Sequence, residues 1–144
     1  MGDKRYELTN HLGNVLATVS DRKNPQASGG QISDYTADLT TAARYYPFGA
    51  LLSDIRADRY RFGFNGKEND NEVYGPIGTF QDYGMRSYDT RICRFVSVDP
   101  LTKGYPWYTP YQFAGNKPIV AIDLDGLEEF IIVKRAGDKY TTFL

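Results

Sequence analysis

The sequence predicts an all-β fold, and three observations predict it. Gly, Pro and Tyr are plentiful (14, 7 and 12 residues) beside very few long aliphatic runs, a balance that suits short strands joined by many turns. Charged or small residues alternate with aromatic ones in Arg59-Tyr60-Arg61-Phe62-Gly63-Phe64, the period of a half-buried strand. Favoured turn pairs follow such stretches, Asn65-Gly66 being a type I′ pair. At 144 residues, 41% hydrophobic and 15% aromatic, the chain has material for one modest core and little room for two domains.

Taken in order, Arg5-Tyr6-Glu7-Leu8 and Val15 to Val19 flank Thr9 to Asn14, where Gly13 and Asn14 accept positive φ, so a hairpin is expected. Residues 21–30 carry almost no apolar side chain and several breakers, and read as a mobile surface loop and the best internal boundary. Gln31 to Leu39 supplies another strand, while the Thr/Ala run at 40–43 is ambiguous. Tyr45-Tyr46-Pro47-Phe48-Gly49 ends a strand in a turn, with its aromatics expected to be buried. Arg59 to Phe64 is expected as a strand, Lys67 to Asn71 as a charged tip. Thr79 to Tyr88 and Arg94 to Val98 read as the arms of a hairpin through Asp89 to Cys93, with Tyr83, Met85 and Ser87 on one face and Gly84, Arg86 and Tyr88 on the other. Beyond the densely aromatic Tyr105 to Phe113, Phe130 to Val133 and Tyr140 to Phe143 flank one more turn.

Several function classes are excluded. A formal net charge of −1 makes no strong field for nucleic acid or an anionic membrane. Cys93 and His11 are single, which leaves no intrachain disulfide, no Cys/His zinc cluster and no Ser-His-Asp arrangement, and gives neither residue a catalytic partner. No apolar run reaches the roughly 20 residues of a membrane span, and Met1 to Asn10 is too polar for a signal peptide. Strand-like residues at both ends suggest a piece of something longer.

Two acidic turns remain, Asp99-Pro100 and Asp123-Leu124-Asp125-Gly126, on either side of the aromatic segment. Asp before Pro and Asp before Gly are common turn dipeptides, so spacing alone leaves both as ordinary turns. The second has a partial calcium-loop look, but Leu127 to Phe130 do not continue the ligand pattern, and no metal or cofactor is assigned. Tyr105-Pro106-Trp107-Tyr108 reads as packing against a scaffold, with a sugar or peptide platform as the alternative.

Together, Tyr6-Glu7-Leu8-Thr9-Asn10-His11-Leu12-Gly13-Asn14-Val15, Tyr46-Pro47-Phe48-Gly49, Phe64-Asn65-Gly66-Lys67-Glu68, Tyr88-Asp89, Arg94-Phe95-Val96-Ser97-Val98-Asp99-Pro100 and Asp123 to Leu127 resemble the RHS repeat-associated core domain, the C-terminal core of bacterial Rhs and YD-repeat polymorphic toxins. The resemblance runs from about residue 6 to residue 129. It implies stacked antiparallel hairpins forming part of a YD-repeat β-shell, with an irregular aromatic- and Pro-rich plug. It divides the chain into a core at 1–127 (a YD-like hairpin at 1–20, a flexible loop at 21–30, the core proper at 31–127) and a remnant of a variable toxin region at 128–144. It further implies aspartyl self-cleavage between Leu127 and Glu128, serving interbacterial competition. The implied partners are an upstream shell, a downstream toxin segment and secretion machinery, and the implied location is secreted or at the cell surface as part of a full-length protein.

Carboxylates hydrolyse an amide when one is ionised and another protonated, a split that close juxtaposition enforces. Asp99 and Asp123 are the candidates, Arg94 the residue expected to orient the charged member, and Asp125-Gly126 the turn that carries the bond. An intramolecular reaction gains from high effective molarity. Two departures from the family pattern stand beside these residues: Leu124 replaces the usual proline and Cys93 the usual glycine, while Thr90 stands where proline is common and suggests a looser turn. Two other readings stay open, a non-catalytic shell fragment and a stand-alone carbohydrate- or peptide-binding β domain.

Overall fold

A computed structural model describes residues 4–72, 75–127 and 129–131. Strands β1 (Arg5–Thr9) and β2 (Val15–Ser28) form the expected first hairpin. Its connection is pinned by the Asn10 side chain, whose Oδ1 accepts the N–H groups of Leu12 and Asn14 at 3.0 Å each, while Gly13 supplies positive φ. Strands β3 (Gln31–Tyr45) and β4 (Leu51–Ile55) complete an antiparallel sheet in the order β1-β2-β3-β4.

Residues 21–28 are strand where a loop was expected. The Ser28↔Gln31 pairing leaves only Gly29 and Gly30 between β2 and β3, both at positive φ, as a two-residue hairpin turn requires. The polar composition of this stretch reflects exposure on both faces and not absence of a ladder. Side chains brace the ribbon across the strands: Ser20 donates to Asp38 at 2.7 Å, Gln26 to Thr36 at 3.1 Å, and Lys23 lies over the Tyr35 ring. Pro25 is accommodated because β1 ends opposite Ser20 and β2 is an edge strand beyond it. The ambiguous Thr/Ala run at 40–43 also belongs to β3.

The inner face of this sheet buries Val15, Thr18, Thr41 and Ala43. Thr18 and Thr41 satisfy each other through a 2.7 Å hydroxyl–hydroxyl bond. Thr18→Val alone strands the Thr41 hydroxyl and is expected to cost about 1–3 kcal/mol in urea unfolding, whereas adding Thr41→Val recovers most of it. A double variant no more stable than the single one would show that the pair is not acting as a unit.

The Tyr46–Gly49 turn forms, closed by Gly49 N–H to Tyr46 O at 2.8 Å, but Tyr46 itself is 53% exposed, and Tyr45 and Phe48 are the aromatics that reach the core. The expected strand over 59–64 is not formed. Short 3-10 turns occupy Ala57–Arg59 and Phe64–Gly66, and only Phe62 makes a β-bridge, to Glu68. Asn65 and Gly66 both take positive φ with Lys67 N–H returning to Phe64 O, the I′ geometry expected of that pair.

A second antiparallel sheet follows, β5 (Glu68–Asn69), β6 (Phe80–Asp82), β7 (Ser87–Asp89) and β8 (Arg94–Phe95), paired in that order. The expected single arm from 79 to 88 is broken by a turn at Tyr83–Arg86, where Tyr83 N–H bonds Arg86 O at 3.1 Å and Gly84 has φ 93°. That turn overrides strict alternation: Tyr83, Arg86 and Tyr88 are all buried, while Met85 is 59% exposed. The last sheet pairs β9 (Ala121–Asp123) with β10 (Glu129–Ile131). The hairpin expected over 130–143 lies outside the described residues, except that Phe130 and Ile131 pair with Ile122 and Ala121 of β9.

Phe64, Tyr83, Tyr88, Phe95, Phe113, Ala114 and Ala121 form the core, so the aromatic segment contributes Phe113 as its keystone. Phe113 stacks on Tyr88 at 4.1 Å between ring centroids, and Tyr83 meets Phe95 edge-on at 5.6 Å, arrangements that aromatic quadrupoles favour.

Candidate functional site

Asp99 follows β8 in a turn, and its backbone N–H bonds Pro110 O at 2.9 Å, which fixes it against the returning aromatic segment. Its Oδ1 accepts the Leu101 N–H at 2.7 Å. Asp123 ends β9, where its Oδ1 accepts the Gly126 N–H at 2.6 Å across the turn. Both residues are buried, and both face one guanidinium: Arg86 Nη2 lies 3.1 Å from Asp99 Oδ2 and 3.8 Å from Asp123 Oδ2.

The cation between the two carboxylates is therefore Arg86, which strand alternation places on a face without a role. Arg94, expected to orient the charged carboxylate, sits exposed on β8. Arg86 is held from several sides at once. Its Nε donates to Gly126 O, its Nη1 to Pro110 O at 3.3 Å, and its guanidinium carbon lies 3.8 Å from the centre of the Phe95 ring. Burial pushes this group below its ordinary value while Asp99 and Asp123 pull it back.

Burial is also the largest influence on Asp123, whose carboxyl is raised to about 6, against the Gly126 N–H and the charges of Arg86 and Lys67 that lower it; the charge of Asp125 adds to the rise. Three buried groups carry one positive charge and up to two negative ones. Protonating Asp123 leaves the cluster neutral, the cheapest state in a medium that solvates charge poorly.

The turn from Asp123 to Leu127 is closely fitted. Gly126 has φ 85°, and a Cβ there would come within 3.0 Å of the Arg86 nitrogen. Asp125 accepts the Leu127 N–H at 3.2 Å through its side chain, so the oxygens that suggested a calcium loop are engaged by backbone donors. Among the described residues no group of three His, Cys, Asp or Glu side chains is arranged to hold a metal. Leu127 is half-buried, and Glu128 lies outside the described residues.

The residues that depart from the pattern of the resembled family occupy distinct settings. Cys93 holds φ 58°, a conformation that costs a residue bearing a Cβ on the order of 1 kcal/mol. Cys93→Gly is expected to raise stability by up to about 1 kcal/mol, because released strain exceeds the added chain entropy; a lower unfolding midpoint would contradict this. Thr90 ties its turn to the segment before β6, since its buried Oγ1 donates to Gly78 O at 3.0 Å and its N–H to Thr79 O at 2.9 Å. Trp107 is 72% exposed with Tyr105 edge-on at 6.0 Å, so the expectation that the whole 105–113 cluster packs inward holds for Phe113 and not for Trp107. His11 joins the first hairpin's turn to Ile119 O at 3.2 Å.

No family model matches the chain. It is 32% identical over 91 residues to Salivary gland surface protein 1 of Aedes aegypti, a match covering 61% of this chain and 2% of that protein. Among solved structures, TcdB2-TccC3-Cdc42 is similar at TM-score 0.65 and 24% identity, over 87% of this chain and 5% of that one. TcdB2-TccC3 without its hypervariable C-terminal region is similar at TM-score 0.62 and 25% identity, again over 87% and 5%. The chain thus spans a small part of each protein it matches. The likeness is one of fold.

Proposed function

We propose that the chain is a core module of an RHS-type toxin-associated β-shell and that it hydrolyses its own backbone after Leu127. The observation that carries the catalytic part is the buried Asp99–Arg86–Asp123 cluster, with Asp123 raised to about 6. Asp99, closer to the guanidinium, takes a proton from water as the water oxygen bonds the Leu127 carbonyl carbon. Asp123 gives its proton to the amide nitrogen as the carbon–nitrogen bond breaks, leaving a new carboxyl group at Leu127 and a free amine. Arg86 is the positioning residue that Arg94 was expected to be. One turnover suffices, and no cofactor enters the reaction.

The partners on this reading are the upstream shell, the segment downstream of Leu127 and secretion machinery, and the setting is secreted or at the cell surface. No helix among the described residues is long and apolar enough to cross a membrane. Intact-mass analysis tests the proposal: residues 128–144 are released from the wild type and retained in Asp123→Asn. A full-length product in both reduces the chain to a non-catalytic shell module. The exposure of Trp107 favours a second reading, a carbohydrate- or peptide-binding surface. A glycan and peptide screen in which binding vanishes with Trp107→Ala would support it, and a screen without hits would remove it.

A further inference from the structure

Three consecutive carbonyls ahead of the proposed cleavage point are each held by a donor. Leu124 O accepts from Lys67 Nζ, Asp125 O from Met85 N–H at 3.0 Å, and Gly126 O from Arg86 Nε. Two of the donors come from the Tyr83–Arg86 turn. The third comes from the Asn65–Gly66 turn, remote in sequence, and its ammonium also lies 5.0 Å from the centre of the Tyr83 ring. Lys67 is half-buried and its stem is thus pinned at two points.

We infer that Lys67 is a positioning residue that fixes the Asp123–Leu127 segment in register with the Asp99–Arg86–Asp123 cluster. Leu124 leaves the φ of its turn free where a ring would restrict it, so an outside contact has to supply the restraint. The Leu124 carbonyl is the atom on which such a contact acts most directly, because it belongs to the residue just after Asp123. Lys67 also faces Asp123 together with Arg86, Asp125 and Tyr83, with Asp99 on the far side of the shared Arg86, and within this set Lys67 and Arg86 are the cations. Losing Lys67 lets Asp123 hold its proton to higher pH while the segment loses its register.

The effect on rate rests on the self-cleavage reading; the clamp itself does not. Lys67→Met and Lys67→Arg in the full chain are compared by cleavage rate against pH, by NMR titration of the Asp123 carboxyl and by hydrogen exchange at the Gly126 amide. With Lys67→Met the maximal rate is expected to fall roughly tenfold or more, the alkaline limb and the Asp123 titration to move to higher pH, and Gly126 to exchange faster. Lys67→Arg restores most of each. Unchanged titration and exchange in Lys67→Met overturn the inference whatever the rate does. If the wild type never cleaves but titration and exchange still shift, the clamp stands and the self-cleavage reading falls.

Discussion

Arg86→Met is expected to destabilise the protein by about 3–5 kcal/mol, the range for removing one partner of a buried ion pair and leaving the other charge behind. Here two carboxylates lose the cation they share, at 3.1 and 3.8 Å, and two carbonyls, Gly126 O and Pro110 O, lose a donor. Methionine fills the space beside Phe95 but supplies none of these bonds. The loss should shrink as pH falls, because protonating Asp123 removes part of the uncompensated charge. Urea unfolding at acidic and neutral pH measures both parts. A variant as stable as the wild type, or a loss independent of pH, would mean that Arg86 is not what holds the carboxylates in the interior.

The second large effect concerns Asp123. As the proton donor it must be protonated, so cleavage is expected to proceed below about pH 6 and to slow about tenfold per unit above it. Stability follows the same group. Its folded value of about 6 lies above the ordinary 3.8, so the folded state binds the proton more tightly, and the associated stability is full below about 3.8 and lost as pH rises to about 6. The span corresponds to about 3 kcal/mol. Asp123→Asn abolishes cleavage and flattens this part of the stability profile. Cleavage that accelerates above pH 6, or a stability slope that persists in Asp123→Asn, would assign the proton to another group.

Local rules made the first hairpin and the Asn65–Gly66 turn legible, because Gly13, Asn65 and Gly66 take the positive φ that their residue types accept. Asp99 and Asp123 could be singled out as turn carboxylates from sequence, and the structure sets both against one guanidinium. Arg86 was missed because period-2 alternation placed it beside Gly84 on an ordinary strand face. The Tyr83–Arg86 turn breaks that period and directs Arg86 inward, and the adjacent Tyr83-Gly84 pair was the one available signal. Residues 21–28 misled for the opposite reason. A ribbon exposed on both faces carries no apolar pattern, so Gly29-Gly30 alone marked the hairpin.

The central claim is tested most directly by refolding the full 144-residue chain from urea into water enriched in heavy oxygen, at a pH just below the Asp123 value of about 6. The N-terminal product is then weighed. The account predicts a product ending at Leu127 with one heavy oxygen in its new carboxyl group, formed by the wild type and by neither Asp99→Asn nor Asp123→Asn. An intact chain from the wild type, or the same labelled product from either variant, would contradict it.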